Sequence, residues 1–305
     1  MTNQGWTYFD RIKAAASGQT VLDFYTHRYR HSSREEWRSR IEQGQIQLDG
    51  HSVSAHTVLQ AGQTLSYARS PWTEPAAPLD FGVLYEDEDF WAIAKPSGLP
   101  VLPGGGFLEH TLLHQMRLRY PHETPVPVHR LGRGTSGAIL VAKSQAARET
   151  LSKQFRVRSL TKIYRALVGP ASVDELSDRF TCHYPIGKLP YRGLSYLYGH
   201  CEGGLASKSE GTVLQRRPDS TLVDVSIFTG RPHQIRIHLA AAGFPMLGDP
   251  LYAIGGVPIA GGSAMPGDCG YLLHAHRLRF SHPRTGKTLY VVSEPPPELQ
   301  HSELH

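Results

Sequence analysis

Apolar residues in this chain recur in short runs, and the spacing inside the runs changes along the sequence. Trp37 and Ile41 fall four apart, the interval that puts two side chains on one helix face. Ser33 and Glu36 have capping-box spacing just before them, and Gly44 can end the helix. Gln45-Ile46-Gln47-Leu48 then alternates as a strand does, and Asp49-Gly50 is a hairpin signal. Further along, residues 83–85 and 90–94 are apolar runs of strand length around an acidic turn. Residues 138–142 read as a buried strand. Ser144 can cap a helix whose Ala147, Leu151 and Phe155 lie four apart. Residues 162–168 and 222–228 read as strands. Pro232 suits the first turn of a helix that Gly243 would close. The Gly- and Tyr-rich segment 186–212 stays unassigned, 255–267 reads as a loop, and 295–305 as a frayed tail. No internal repeat is visible.

These patterns divide the chain. Residues 1–70 read as a small helix-plus-hairpin module, with Arg28, Arg30, Arg34, Arg38 and Arg40 clustered on and before its helix. The segment Ser70-Pro71-Trp72-Thr73-Glu74-Pro75-Ala76-Ala77-Pro78 is proline-rich and should be extended, so 71–78 is the expected linker. A larger domain is expected over 79–295, with 296–305 as the tail.

Composition narrows the partners. The chain has 305 residues, enough for about two domains, with 40% hydrophobic and 19% charged residues, which is ordinary globular usage. A formal net charge of +5 permits a phosphate-bearing partner, and the 17 histidines can add to it below neutral pH. The three cysteines, Cys182, Cys201 and Cys269, are odd in number and show no C-x-x-C spacing, so neither a disulfide framework nor a zinc knuckle is expected and a reducing cytoplasm is the simplest setting. Neither a secretory signal nor a membrane-length apolar run is seen. His110 and His114 have the spacing of a metal pair, but no third ligand is evident and no metal is expected. Pro103-Gly104-Gly105-Gly106 lacks the lysine and serine of a phosphate-binding loop.

The stretch Val128-His129-Arg130-Leu131-Gly132-Arg133-Gly134-Thr135-Ser136-Gly137 is the most informative. It resembles the core motif of RluA-type RNA pseudouridine synthases. Three further segments carry the same resemblance. They are residues 87–101, ending Lys95-Pro96-Ser97-Gly98-Leu99-Pro100-Val101; Lys162-Ile163-Tyr164-Arg165-Ala166-Leu167-Val168; and residues 229–239, containing Arg231-Pro232-His233-Gln234-Ile235-Arg236, followed by Gly248-Asp249-Pro250-Leu251-Tyr252. Leu273-His274-Ala275-His276-Arg277-Leu278 fits the closing strand. The resemblance covers about 80–293, and the N-terminal module loosely resembles the small RNA-binding module of ribosomal protein S-four.

In that family the residue after His-Arg-Leu is a nucleophilic aspartate. Here it is Gly132, and no acidic residue lies between Glu123 and Glu149 to replace it by a shift of register. Isomerising uridine requires breaking the sugar–nitrogen bond, turning the base and rejoining through carbon, and a stacked base must first be flipped out. The resemblance implies that Arg130 fills the vacated stack, that Tyr164 stacks on the flipped uracil and acts as a base, and that Arg236 is the cation that would pair with the aspartate. Without that aspartate Arg236 needs another acid, an anion or an RNA phosphate, and Asp249 is a conceivable partner. Leu131, Arg133, Thr135, Lys95, Arg231 and Leu273 complete the expected RNA contacts, with Lys143, Lys153, Arg156 and Arg158 as further phosphate candidates.

The expected fold class is therefore α+β: a pseudouridine-synthase-type domain with a mainly antiparallel mixed sheet behind a small RNA-binding module. Two functions follow. One is an RNA pseudouridine synthase acting on structured rRNA or tRNA. The other is a catalytically silent RNA-binding protein or RNA chaperone on the same scaffold. No cofactor or metal is implied, and a cytoplasmic monomer is expected.

Overall fold

The computed structural model describes residues 2–169 and 176–301, which form two compact units, Met1–Glu74 and Pro75–His305. The unit boundary falls inside the proline-rich segment, but residues before it are not free: Asn3 donates to Glu74 at 2.8 Å, and the Arg69 guanidinium lies 3.6 Å from the Trp72 ring centroid.

In the first unit, helices Val21–Arg28 and Arg34–Glu42 pack on a four-stranded sheet of order Trp6–Arg11, Thr64–Arg69, Ile46–Leu48, His51–Ser52. The Ser33 and Glu36 capping box forms with both bonds in place. Asp49 and Gly50 both have positive φ, as a two-residue hairpin turn requires. Trp37 and Ile41 are buried with Tyr25, Ile46 and Leu65. Of the arginine cluster, Arg28 pairs with Asp10 and Arg34 with Asp23, Arg40 lies 4.4 Å from the Trp37 ring centroid, and Arg30 and Arg38 are exposed.

The second unit is built on a ten-stranded sheet. Its main path runs Arg179–Cys182, Ser209–Arg217, Ser220–Ile227, Thr161–Val168, Leu273–Ser281, Ser136–Ala142, Phe90–Lys95, Gly82–Glu86. Among the described residues one pair is parallel, Leu273–Ser281 with Ser136–Ala142, joined at His274–Ser136 and Ala275–Gly137. The rest are antiparallel, so the sheet is mixed and mainly antiparallel. Gly137 has φ +108°, and a Cβ there would collide with the Ala275 backbone, so glycine is required where these strands meet. Helix Gln145–Val157 covers one side through Ala147 and Leu151. Helix Gln234–Ala241 is buried along seven of its eight residues.

Several expectations are corrected. The last helix begins at Gln234 rather than Pro232, because His233 takes a left-handed φ of 57° and turns the chain before the helix starts. The unassigned segment 186–212 contains a hairpin, Ile186–Tyr191 with Leu194–His200, and the start of strand Ser209–Arg217. The supposed loop 255–267 contributes Val257–Pro258, paired with Tyr252–Ala253. The tail is not frayed at Pro297–Leu299, a single 3₁₀ turn whose Leu299 is buried against Leu167 and Leu222; residues 302–305 lie outside the described residues. His110 precedes helix Leu112–Arg119, so it does not share a helix face with His114.

Candidate active site

The turn at 129–137 is held at three points. His129 accepts the Leu140 N–H at 3.0 Å and stacks on Phe155 at 4.3 Å; burial pulls its pKa down to about 3, so the ring stays neutral and able to accept. The Thr135 N–H closes the turn on the Gly132 carbonyl at 3.1 Å. Residues 95–98 clamp it from the other side. The Gly98 N–H bonds the Arg133 carbonyl at 2.8 Å, Ser97 Oγ donates to the Gly134 carbonyl at 2.8 Å, and Lys95 Nζ reaches the Arg133 carbonyl at 3.1 Å. Arg130 is exposed on this fixed turn, and Leu131 is buried beneath it.

Lys95 was expected against RNA, and the structure places it elsewhere. It is buried, and its ammonium gives all three protons to the carbonyls of Pro96, Leu99 and Arg133. Its role is to hold the turn. Burial lowers its pKa to about 7. Leu273 is likewise buried, its side chain packed in the same apolar cluster as Leu131, Tyr164 and Tyr271. Arg133 turns to the 267–268 segment, with Nε 2.6 Å from the Gly267 carbonyl and the Phe107 ring beside it. Lys143 is drawn to Glu86 at 2.7 Å and to the Trp91 ring. Lys153 and Arg156 border a shallow, open depression on helix Gln145–Val157.

Arg236 has a partner. Its Nε and Nη2 meet the two carboxylate oxygens of Asp249 at 2.7 and 2.6 Å, with side chains 2% and 1% exposed. Burial opposes the charge, and the Asp249 bonds more than restore it, leaving the Arg236 pKa raised. Asp249 is fully occupied, since its Oδ1 also accepts the Leu251 and Tyr252 N–H groups. Such an acid orients a cation and caps a turn; its lone pairs are not offered to a substrate. Arg236 Nη1 is buried and, among the described residues, has no hydrogen-bond partner.

The residue that sequence reasoning missed is Tyr271. Its ring lies 4.0 Å from the Arg236 guanidinium, and its hydroxyl is 3.3 Å from Thr135 Oγ1. An ideal Cβ on Gly132 would sit 2.9 Å from that hydroxyl. Thus Gly132, Thr135, Tyr271, Arg236 and Asp249 are brought together, although Tyr271 and Gly132 are far apart in sequence. A signal existed in Gly132-x-Gly134, which announces a close approach without saying by what.

Tyr164 stands on strand Thr161–Val168, paired with Ala275, and is 9% exposed. Burial pushes its pKa up to about 12, so at neutral pH it is a phenol and not a phenolate. Arg231 is half-buried, its Nε without a partner among the described residues, and its backbone N–H bonds Gln234 Oε1 at 3.1 Å.

A mainly antiparallel mixed sheet carrying this clamped turn, a buried strand tyrosine and an oriented helix arginine is the architecture of a pseudouridine synthase domain. Comparison with known proteins agrees. A family model described as RNA pseudouridylate synthase matches residues 89–241. An uncharacterized RNA pseudouridine synthase of Synechocystis is 52% identical over 279 residues, covering 92% of this chain and 95% of the relative. The ribosomal large subunit pseudouridine synthase D of Nitrosomonas europaea is 30% identical, covering 88% of this chain and 78% of the relative. Among solved structures, human RNA pseudouridylate synthase domain containing 1 superposes with a TM-score of 0.57 at 27% identity, covering 75% of this chain and 89% of that one. The chain belongs to the RNA pseudouridine synthase family.

Proposed function

We propose that this chain is an RNA pseudouridine synthase, isomerising uridine to pseudouridine in a structured rRNA or tRNA. The observation that carries the reading is the preorganised turn. Residues 95–98 and 132–135 are tied by hydrogen bonds of 2.8 to 3.1 Å, so the exposed Arg130 stands on a fixed base. A rigid turn lowers the cost of replacing a flipped base in the stack. Arg130, Leu131, Arg133, Thr135 and Arg231 are the residues proposed to contact RNA, Tyr164 to stack on uracil, and Arg236 to set the charge of the site. Residues 1–70 are proposed as an accessory RNA-binding module, with Arg30 and Arg38 as its exposed cations. Three free cysteines fit a reducing cytoplasm. No helix among the described residues is long and apolar enough to cross a membrane.

One observation favours a second reading. The position of the family's carboxylate holds Gly132, and the acid nearest Arg236 is buried and occupied, which suits a silent RNA binder. Tritium release from RNA labelled at uridine C5 separates the two. The enzyme reading expects release that Tyr164→Phe abolishes; RNA retention on filters without any release would establish the binder instead.

A further inference from the structure

Glycine at 132 and 134 is not demanded by the backbone, because neither is among the glycines with positive φ. What excludes a side chain at both places is one ring. A Cβ on Gly132 would meet Tyr271 Oη at 2.9 Å, and a Cβ on Gly134 would meet Tyr271 Cζ at 2.9 Å and Cε1 at 3.0 Å. Tyr271 thus fills the volume that a side chain at 132 would occupy, and its oxygen is the polar atom there. Tyr271 is 5% exposed, and Gly132, the residue its hydroxyl approaches, is exposed, as is Arg130 on the same turn.

We propose that Tyr271 supplies the nucleophilic oxygen of this chain, its phenol standing at the sugar where a carboxylate on residue 132 would stand. The inference rests on the function proposed above and names the group that performs it. Phenols are competent for such attack, since tyrosine serves elsewhere as a covalent nucleophile, including at the anomeric carbon of sugars. Burial raises the Tyr271 pKa, so the group rests as a neutral phenol that carries its own proton. The Arg236 cation, 4.0 Å from the ring centroid and kept in place by Asp249, pulls the other way and favours negative charge on the oxygen as it develops, and Thr135 Oγ1 lies within hydrogen-bond reach at 3.3 Å.

The step balances without any further reactant. The Tyr271 oxygen bonds to C1′ as the C1′–N1 bond breaks, its electron pair leaving on the uracil, and the phenolic proton passes to N1. The uracil turns. Its C5 then bonds to C1′ as the C1′–oxygen bond breaks, and the departing phenolate takes the proton lost from C5. The sum is an isomerisation, and the C5 hydrogen reaches an exchangeable site.

The test compares the natural protein, Tyr271→Phe and the double variant Gly132→Asp/Tyr271→Phe in tritium release from RNA labelled at uridine C5, with filter binding of the same RNA alongside. Tyr271→Phe should lower the turnover rate by on the order of 10³-fold or more with RNA affinity unchanged. The double variant, with a carboxylate offered and the hydroxyl gone, should regain part of it. Release by Tyr271→Phe within about threefold of the natural rate overturns the inference and leaves the proposed function standing. A natural protein that binds RNA and releases nothing overturns both. Should Tyr271→Phe not fold, acid quench of the natural protein during turnover decides: a ribosylated Tyr271 peptide upholds the inference, and an unmodified one overturns it.

Discussion

Arg236 and Asp249 exchange two hydrogen bonds, of 2.7 and 2.6 Å, with both side chains almost completely buried. The pair explains how a cation next to a turn without a carboxylate stays charged. It also makes the site depend on Asp249, a turn residue whose carboxylate is taken up by Arg236 and two backbone N–H groups.

Removing the acid alone should therefore be severe. Asp249→Ala leaves a buried guanidinium uncompensated and should cost about 3–5 kcal/mol, whereas replacing both partners by apolar residues of similar volume should cost far less. Urea unfolding of Asp249→Ala and of Arg236→Met/Asp249→Leu measures both. A loss below about 1 kcal/mol for Asp249→Ala would show that the pair does not hold the fold.

The packing of Tyr271 on the glycine turn predicts a coupling. Gly134→Ala should cost about 1–3 kcal/mol through overpacking against the ring. In a Tyr271→Ala background the same change should cost less than about 0.5 kcal/mol, because the obstructing atoms are gone. Equal costs in the two backgrounds would mean that the ring does not set the glycine requirement.

Arg130 is the exposed cation of the turn, so its loss should spare stability and weaken RNA binding. Arg130→Ala should leave the melting temperature unchanged and lower the slope of log affinity against log salt by about 1. An unchanged slope would remove Arg130 from the phosphate contacts.

Lys95 gives the fold a pH dependence of definite sign. Its pKa in the folded chain is about 7, depressed by burial from an ordinary 10.5. Between those values the unfolded chain binds more protons than the folded one, so raising the pH stabilises the fold, and the benefit is lost as the pH falls through about 7. The wild-type chain should thus gain stability relative to Lys95→Met between about pH 7 and pH 10. Parallel curves for the two proteins in urea unfolding across that range would count against a proton-linked Lys95. Lys95→Met should also loosen the turn at neutral pH, since three buried carbonyls lose their donor, at about 1–3 kcal/mol.

Much of this architecture was legible in one dimension. The capping box at Ser33, the Asp49-Gly50 turn and the buried run 138–142 depend on neighbours a few residues apart, and each formed as local chemistry demands. The hairpin Ile186–Tyr191 with Leu194–His200 was not legible, because its apolar positions are interrupted by glycine and tyrosine and its partner contacts come from helix Gln234–Ala241 and strand Tyr252–Ala253. Lys95 was misplaced for a related reason: a lysine in a polar motif looks solvent-exposed until three carbonyls are known to converge on it.

The sequence by itself determined the family and the glycine at position 132, since these are carried by residue identity and short spacing. Only the tertiary structure decided what packs against that glycine. Tyr271 and Asp249 reach the turn through strand and helix packing over more than a hundred residues of chain, and hydrophobic periodicity holds no information about which side chain will fill a space that another has left.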